Sequence, residues 1–258
     1  MSNIIVIKIG GSTLGSNDTT FEDIAALQKR GRSLLIVHGG GKTITNWLTK
    51  QGIAAKFVNG ERVTDKPTLE VVIAVLAGLV NKEIVTAINS LGGKAIGISG
   101  ADGGLIQSEI RNGELGYVGA VTKVNIAPIQ ALLEGGFAPV VATVCANASP
   151  KSGDPKILNV NADLVAGDIS KALNAARLIF LTDVDGIRDD QGKVIPSLTT
   201  KDAESLIAAG TANGGMIPKI KACLTALSGQ AGTCIIDGRQ PHALLNDIDG
   251  KICGTVIQ

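Results

Sequence analysis

The chain has 258 residues, of which 45% are hydrophobic and 18% charged, a composition typical of a folded globular protein and not of a disordered one. Its net charge of +1 provides no bulk attraction to nucleic acid or to an anionic membrane. The four cysteines contain no C-x-x-C pair, which favours reduced thiols over a disulfide framework or a zinc site. Because no leader precedes the first apolar run and no apolar run reaches transmembrane length, we expect a soluble, cytoplasmic protein.

Six short runs rich in β-branched residues predict strands, and each is followed by glycine, aspartate or a polar turn. Because these runs are apolar on both faces, they fit strands buried inside a mainly parallel sheet. They cover residues 4–9, 34–37, 94–99, 138–144, 178–181 and 232–236.

Amphipathic stretches between these runs predict helices. The longest covers residues 68–91, and the others cover 122–134, 161–176, 201–210 and 217–228. Since strand and helix alternate, the predicted class is α/β with an open, mainly parallel sheet. Ligands of such folds bind at the carboxyl ends of the strands, where the glycines and aspartates of this chain gather.

Lys8 is the one charged residue in an apolar strand, and it stands just before Gly10 and Gly11. A buried ammonium group is costly unless an anion lies near it. We therefore interpret Lys8 as a candidate phosphate ligand; the alternative is a lysine that reaches the surface at the strand end.

Three glycines follow the second strand and precede a helix, in the sequence His38-Gly39-Gly40-Gly41. Neither the Walker A motif nor G-x-G-x-x-G fits, because Ile36 and Ile44 stand where glycines are required. The glycines still place several N–H donors beside the positive end of a helix, which predicts a cradle for an anion.

Three further side chains have both a chemical and a structural interpretation. Lys219, in the first turn of a helix, is a phosphate ligand or a solvated lysine. Asp163 and Asn161 place a carboxylate and an amide at another helix start; their structural interpretation is that Asn161 is the N-cap and Asp163 a first-turn acid favoured by the helix dipole. Arg62, expected in a loop before the long helix, is a carboxylate clamp or a solvated charge.

No nucleophile–base pair and no metal cage is evident in the sequence. A kinase that acts on a carboxylate needs neither, because such an acceptor is already ionised near pH 7. Lysines, backbone N–H groups and magnesium can then supply positioning and charge neutralisation.

The order of motifs K-I-G-G-S, V-H-G-G-G, N-G-x-R-V-T-D, N-V-N-A-D, L-T-D-V-D-G-I and G-G-M-I-P-K resembles the acetylglutamate kinases of the amino-acid-kinase family, from residue 8 to residue 254. The resemblance implies an αβα sandwich with an acceptor-binding lobe (residues 1–165) and an ATP-binding lobe (residues 166–258). It also implies transfer of the γ-phosphoryl group of ATP, with Mg²⁺, to the γ-carboxylate of N-acetyl-L-glutamate in arginine biosynthesis.

The same resemblance implies roles for individual residues, and we assign no metal ligand among them. Catalytic roles fall on Lys8, Lys219, Asp163, Gly11 and Gly40, and acetylglutamate binding on Gly40, Gly41, Arg62 and Asn159. Nucleotide binding falls on Asp183, Val184, Asp185, Gly186, Ile187, Arg188, Thr211, Ala212 and Asn213.

Residues 151–154 and 211–213 follow no strict motif, so the nucleotide contacts are the least constrained. The chain lacks the N-terminal helix that accompanies hexameric, arginine-inhibited members, so we expect an arginine-insensitive homodimer with the 68–91 helix as its interface. Alternatives of the same fold are a kinase of carrier-protein-linked aminoadipate or glutamate and a non-catalytic amino-acid sensor. Arg62 disfavours carbamate and uridylate kinases, and the missing G-x-G-x-x-G disfavours a nicotinamide dehydrogenase.

Overall fold

The fold is an alternation of strands and helices, seen in a computed structural model that describes residues 3–10, 19–58, 60–111, 113–251 and 254–258. The first part holds β1 (Ile4–Ile9), α1 (Thr20–Lys29), β2 (Ser33–His38), α2 (Gly41–Lys50), β3 (Phe57–Val58), β4 (Glu61–Arg62), α3 (Lys66–Ile73), α4 (Asn81–Ser90), β5 (Ala95–Gly100), β6 (Ile106–Ile110), β7 (Val118–Val124), α5 (Ala127–Glu134) and β8 (Ala138–Asn147). The second part holds β9 (Ile157–Val160), α6 (Ala162–Ala172), β10 (Arg177–Thr182), β11 (Ser197–Leu198), α7 (Thr200–Ala208), α8 (Met216–Ser228), β12 (Gly232–Asp237), α9 (Ala243–Ile248) and β13 (Gly254–Ile257).

One large sheet forms the centre, with strand order β11-β13-β12-β10-β1-β2-β8-β6-β7-β9 and with β5 paired to β8. Most pairs are parallel, and β12–β13, β6–β7 and β8–β9 are antiparallel, so the predicted open, mainly parallel sheet is confirmed. The chain runs outward from β1 through β2 on one side and returns to β10 on the other. A crevice therefore opens at the carboxyl ends of β1, β2 and β10, where open α/β sheets bind ligands.

A hydrophobic core lies on each face of the sheet, which gives the expected αβα sandwich. Along β1, Ile5, Ile7 and Ile9 face the core that α1 to α4 and α9 cover, while Val6 faces the core of α5 to α8. Side chains alternate along a strand, so Lys8 lies on the face of Val6. Lys8 is thereby directed toward α6 and α8.

The longest helix combines α3, a π-helical segment (Ala74–Val80) and α4, and it begins where the Asp65 side chain accepts a hydrogen bond from the Thr68 N–H at 3.0 Å. The combined helix, Lys66–Ser90, has 25 residues and contains an 18-residue window with a mean hydropathy of 2.0. By length and composition alone, this helix is long and apolar enough to cross a membrane. This corrects the expectation that no apolar run reaches that length. Of this window, 44% is buried inside the protein, which is less than in a mostly buried core helix.

Some sequence-predicted boundaries are wrong. Residues 118–124 form β7, antiparallel to β6, so the helix expected over 122–134 begins at Ala127, with Pro128 in its first turn. Arg62 lies in the β3–β4 hairpin and not in a loop. The predicted division after residue 165 falls within α6 and remains a prediction.

Candidate active site

Two lysines share one carboxylate at the carboxyl end of the sheet. Lys8 Nζ lies 2.6 Å from Asp163 Oδ1, and Lys219 Nζ donates to Asp163 Oδ2 at 3.0 Å. Lys8 and Asp163 are only 7% and 6% exposed. Within this group of three, two cations and one anion leave an excess charge of +1 in a desolvated site. Asp183 acts on Lys8 as a further but weaker negative charge, and an anionic ligand would neutralise the excess.

The start of α6 places this carboxylate. Asn161 caps the helix by accepting hydrogen bonds from the Asp163 N–H at 2.9 Å and from the Leu164 N–H at 3.3 Å. A Cβ on Gly167 would lie 2.7 Å from the Ala222 carbonyl oxygen, so glycine allows α6 and α8 to approach closely. This close packing brings Lys219 of α8 within reach of Asp163.

The pKa values of Lys8 and Asp163 depend both on burial and on the charges of the neighbouring groups. Burial lowers the pKa of Lys8, the attraction of Asp163 opposes this, and the charge of Lys219 lowers it further. Burial alone would raise the pKa of Asp163, but Lys8 and Lys219 outweigh burial and hold that pKa below its usual value. The Asp163 carboxylate therefore stays ionised and fixes both ammonium groups.

A cleft of about 250 Å³ opens beside Lys8 and Asp163, a volume that suits a small metabolite. Its lining includes Gly39, Gly40, Gly41, Ile44, Phe57, Arg62, Leu76, Val118, Thr143 and Asn159. Six of the residues predicted from the sequence line this cleft, and Lys219 joins them through its contact with Asp163. The six are Lys8, Gly40, Gly41, Arg62, Asn159 and Asp163.

Arg62 has an unsatisfied donor at this cleft. Its Nη2 donates to the Gly41 carbonyl oxygen at 2.9 Å and to Thr45 Oγ1 at 2.8 Å, and its guanidinium carbon lies 4.8 Å from the centre of the Phe57 ring. Burial lowers the pKa of Arg62. Nη1 is buried and has no hydrogen-bond partner within the described ranges, which suits an anionic acceptor such as a carboxylate.

Asn159 presents an acceptor to the cleft. Its Nδ2 donates to Thr64 Oγ1 at 3.0 Å, and that hydroxyl donates to the Arg62 carbonyl oxygen at 3.2 Å. With the amide nitrogen engaged, Asn159 Oδ1 remains for a ligand N–H.

Gly40 and Gly41 have different requirements at the start of α2. A Cβ on Gly40 would lie 2.7 Å from Leu76 Cδ2, whereas a Cβ on Gly41 would meet nothing within 4 Å. Glycine at position 40 therefore lets the π-helical segment pack against the backbone that lines the cleft.

Sequence reasoning missed Thr64 and Thr143. Thr64 acts through the orientation of Asn159, which the sequence does not reveal. Thr143 is 1% exposed on β8 and lines the cleft. The available signal was a lone hydroxyl inside an apolar strand, which resembles the signal that singled out Lys8.

The residues predicted to bind nucleotide lie to the other side of Lys8. Residues 183–188 follow β10, whose Leu181 carbonyl oxygen accepts a hydrogen bond from the Gly10 N–H at 3.2 Å. The Ile187 N–H donates to Thr255 Oγ1 at 2.8 Å and anchors that turn to β13. Residues 211–213 connect α7 and α8. None of these nine described residues lines the cleft beside Arg62, and Gly11 lies outside the described residues, so these roles remain predictions.

Known proteins resemble this chain over nearly its whole length. A model described as the amino acid kinase family matches residues 3–237. Acetylglutamate kinase of Dehalococcoides mccartyi is 47% identical over 99% of this chain and 94% of the relative, and acetylglutamate kinase of Caldanaerobacter subterraneus is 46% identical over 95% and 83%. The crystal structure of smu.665 from Streptococcus mutans superposes with a TM-score of 0.85 at 28% identity, covering 100% of this chain and 99% of that one.

Proposed function

The chain belongs to the amino acid kinase family, and from this membership and the cleft we propose that it transfers the γ-phosphoryl group of ATP to the γ-carboxylate of N-acetyl-L-glutamate. It is an ATP-dependent kinase with a small-molecule acceptor. The observation that carries the proposal is the buried Lys8–Asp163–Lys219 arrangement, with its excess positive charge, beside a cleft where Arg62 Nη1 has no hydrogen-bond partner among the described residues.

The acceptor is bound through its unreactive groups. Arg62 Nη1 donates to the α-carboxylate, and Asn159 Oδ1 accepts the acetamido N–H. The γ-carboxylate is then the nucleophile. Because its pKa lies near 4.3, it is ionised at pH 7 and needs no general base.

Phosphoryl transfer depends on charge stabilisation. A carboxylate oxygen forms a bond to the γ-phosphorus, the bond from that phosphorus to the bridging oxygen breaks, and ADP leaves with the electron pair. Lys8 and Lys219 stabilise the charge on the phosphoryl oxygens, and Asp163 keeps the two lysines in place. The products are an acyl phosphate and ADP, with no proton transfer to the enzyme.

Magnesium enters as part of the MgATP substrate. Both Asp163 oxygens already contact lysines, and the described ranges contain no group of three or more His, Cys, Asp or Glu side chains that could hold a metal ion. The phosphate oxygens are then the main ligands of the ion. The turn 183–188 and residues 211–213 would hold the adenine and the ribose.

We also propose a cellular setting and an assembly state for the enzyme. The enzyme works in the cytoplasm, in arginine biosynthesis, and without nucleic acid or membrane as a partner. It acts as a homodimer whose interface is the exposed side of the Lys66–Ser90 helix. The support for this interface is that the helix is strongly apolar, yet less than half of its most apolar window is buried within one chain.

The test is phosphoryl transfer from MgATP with the acyl phosphate trapped as a hydroxamate, with N-acetylglutamate and free glutamate compared side by side. We expect hydroxamate with N-acetylglutamate and little with glutamate, whose ammonium group cannot replace the acetamide. Equal activity with both would refute the selectivity for the blocked amine. No product with either, despite ATP binding, would favour the carrier-protein-linked kinase or the non-catalytic sensor.

A further inference from the structure

The last residue of β2 is a buried histidine that the mechanism above does not use. His38 is 0% exposed, as is Asn81 at the start of α4. His38 Nδ1 lies 3.1 Å from the Gly39 carbonyl oxygen, and His38 Nε2 lies 3.1 Å from Asn81 Nδ2. The imidazole thus connects the long helix to the first peptide of the glycine cradle.

The surroundings of Asn81 determine the protonation of His38. Asn81 Nδ2 also lies 2.9 Å from the Val140 carbonyl oxygen and 3.3 Å from that of Ile98, so this atom must be the amide donor. The Gly39 carbonyl oxygen can only accept, so the imidazole proton lies on Nδ1 and is donated to Gly39. Nε2 of the neutral ring then carries no proton and faces the Asn81 amide, whose two N–H groups are shared among Nε2 and the two carbonyl oxygens. Burial lowers the pKa of His38 to about 4, so the ring is neutral at physiological pH.

The Asn81 amide is itself held in one position. Lys82 Nζ donates to Asn81 Oδ1 at 3.0 Å and to the Gly97 carbonyl oxygen at 3.2 Å. A Cβ on Gly97 would collide with the Asn81 carboxamide, so glycine in β5 leaves room for this side chain. The amide therefore has little freedom to turn and to offer its oxygen to His38.

The hydrogen bond from His38 to the Gly39 carbonyl oxygen also orients the Gly40 N–H, because both groups belong to the same peptide plane. In a trans peptide, C=O and N–H point in opposite directions, and the described residues contain no cis peptide. A Gly39 oxygen that faces His38 turns the Gly40 N–H away from His38. The side chain of His38 lies on the opposite face of the sheet from Lys8, since Lys8 pairs with Val37 and Ile9 with His38. The Gly40 N–H is thereby turned toward the side of Lys8.

We propose that His38, held by Asn81, is a positioning residue that fixes the Gly39–Gly40 peptide so that the Gly40 N–H donates to the phosphoryl group in transfer. This inference rests on the proposed kinase function and adds a residue to it. His38 touches neither substrate and exchanges no proton during turnover. Its contribution is the orientation of one N–H donor before the substrates bind, which is the form of preorganisation that stabilises a transition state.

The tautomer can be measured directly in the wild-type protein. The chain has only two histidines, so ¹⁵N-histidine labelling gives two sets of imidazole signals, and a His242→Asn variant assigns them. We expect His38 in the Nδ1–H tautomer, with no titration between pH 5.5 and 9. An Nε2–H tautomer, or titration within that range, would overturn the proposal whatever the activities of the variants.

Two substitutions test the two hydrogen bonds of the His38 imidazole one at a time. His38→Asn places an amide nitrogen near the position of Nδ1 and keeps a donor for Gly39, while Asn81 retains its two carbonyl acceptors. His38→Gln reaches the position of Nε2 and keeps the Asn81 contact, but loses the donor to Gly39. If the Gly40 N–H is positioned as proposed, kcat falls about 10- to 100-fold in His38→Gln and stays within about threefold in His38→Asn. KM for ATP changes less than about threefold in both.

The outcomes distinguish this inference from the proposed function. Equal kcat values in the two variants, or the larger loss in His38→Asn, would refute the positioning role while wild-type kinase activity stands. A wild-type enzyme without activity on N-acetylglutamate would refute the proposed function, and the imidazole spectrum would still decide whether His38 holds the Gly39 carbonyl. Thermal melting of both variants checks that each folds.

Discussion

At the scale of single residues, the site is organised around a charge that the protein leaves uncompensated. Asp163 neutralises one of two lysines, and the second positive charge is retained in a desolvated position. Such a charge destabilises the folded protein when no ligand is bound, because burial in low dielectric penalises it. The same charge has its full effect on a phosphoryl group, since little water screens it.

Substitution of Lys8 should therefore lower kcat without lowering the stability of the fold. Lys8→Met leaves Asp163 paired with Lys219, so the remaining buried charges balance and the melting temperature stays near that of the wild type. We expect kcat to fall about 100- to 1,000-fold, as with loss of one preorganised electrostatic group. Lys201→Met, at an exposed position on α7, is the matched control and should leave kcat unchanged. Wild-type turnover in Lys8→Met, measured by coupled ADP release, would exclude its role.

Arg62 should affect acceptor binding more than chemistry. Its Nη2 is used to hold Gly41 and Thr45, and the buried Nη1 is left for the ligand. Arg62→Ala should raise KM for N-acetylglutamate by about 10-fold or more and change KM for ATP little, because a ground-state contact is lost. Arg32→Ala, at an exposed arginine, serves as the control. A change confined to KM for ATP would contradict the assignment.

At the scale of elements, the sequence predicts the inner strands well because their signal is local. The run 4–9 coincides with β1, and 178–181 lies within β10, since buried parallel strands are continuously apolar. The sequence pattern assigns residues 122–124, the end of β7, to the following helix, because polar and apolar residues are mixed there and the partner strand β6 is itself not predicted. The π-helical segment leaves no signal of its own in the apolar spacing.

In the candidate site, too, residues with a local sequence signal are predictable, and contacts between separate elements are not. Lys8 is visible in the sequence because it interrupts an apolar strand, and the three glycines because they directly follow one. The orientation of Asn159 and the His38–Asn81 contact were not predictable, because they depend on side chains brought together from separate elements. Sequence motifs thus identify which residues meet at the cleft, and tertiary packing decides which of their atoms remain free.

An ion pair joins α1, near the start of the chain, to the residue before α9, near its end. His242, before α9, places Nδ1 2.7 Å from Asp23 Oδ1 on α1, and its backbone N–H donates to Thr19 Oγ1 at 2.7 Å. The hydrogen bond and the charge of Asp23 raise the pKa of His242. A raised pKa in the folded state means that the stabilisation is complete below the unfolded value of 6.5 and is lost as pH rises through the folded pKa.

This linkage predicts that His242→Asn destabilises the protein more in acid than in alkali. Asparagine tolerates the left-handed backbone at this position, where φ is 55°, so backbone strain contributes little. The difference in the free energy of urea unfolding between wild type and variant should be larger at pH 5.5 than at pH 9. The titration of His38 is common to both proteins and cancels in that difference. A difference independent of pH would show that the ion pair contributes nothing measurable.

At the scale of the whole molecule, the two faces of the sheet carry different parts of the site. The face of α6 and α8 carries Lys8, Asp163 and Lys219, and the opposite face carries His38 and Asn81 beneath the glycine cradle. The helix Lys66–Ser90 belongs to this second face: its inner side holds Leu76 against Gly40, and its outer side includes exposed Ala74 and Gly78. A second chain that covered the outer side would pack directly behind the substrate cleft.

The proposed homodimer can be tested on that outer side without disturbing the fold of one chain. A Cβ on Gly78 meets nothing within 4 Å, so Gly78→Glu fits a monomer, but it would place a charge inside the proposed interface. We expect sedimentation equilibrium to give twice the chain mass of 26.3 kDa for the wild type and the mass of one chain for Gly78→Glu. Ala208→Glu, exposed on α7, is the matched control and should remain dimeric. A monomeric wild type, or a Gly78→Glu variant that dimerises as tightly, would exclude this helix as the interface, because a desolvated unpaired glutamate opposes association by several kcal/mol.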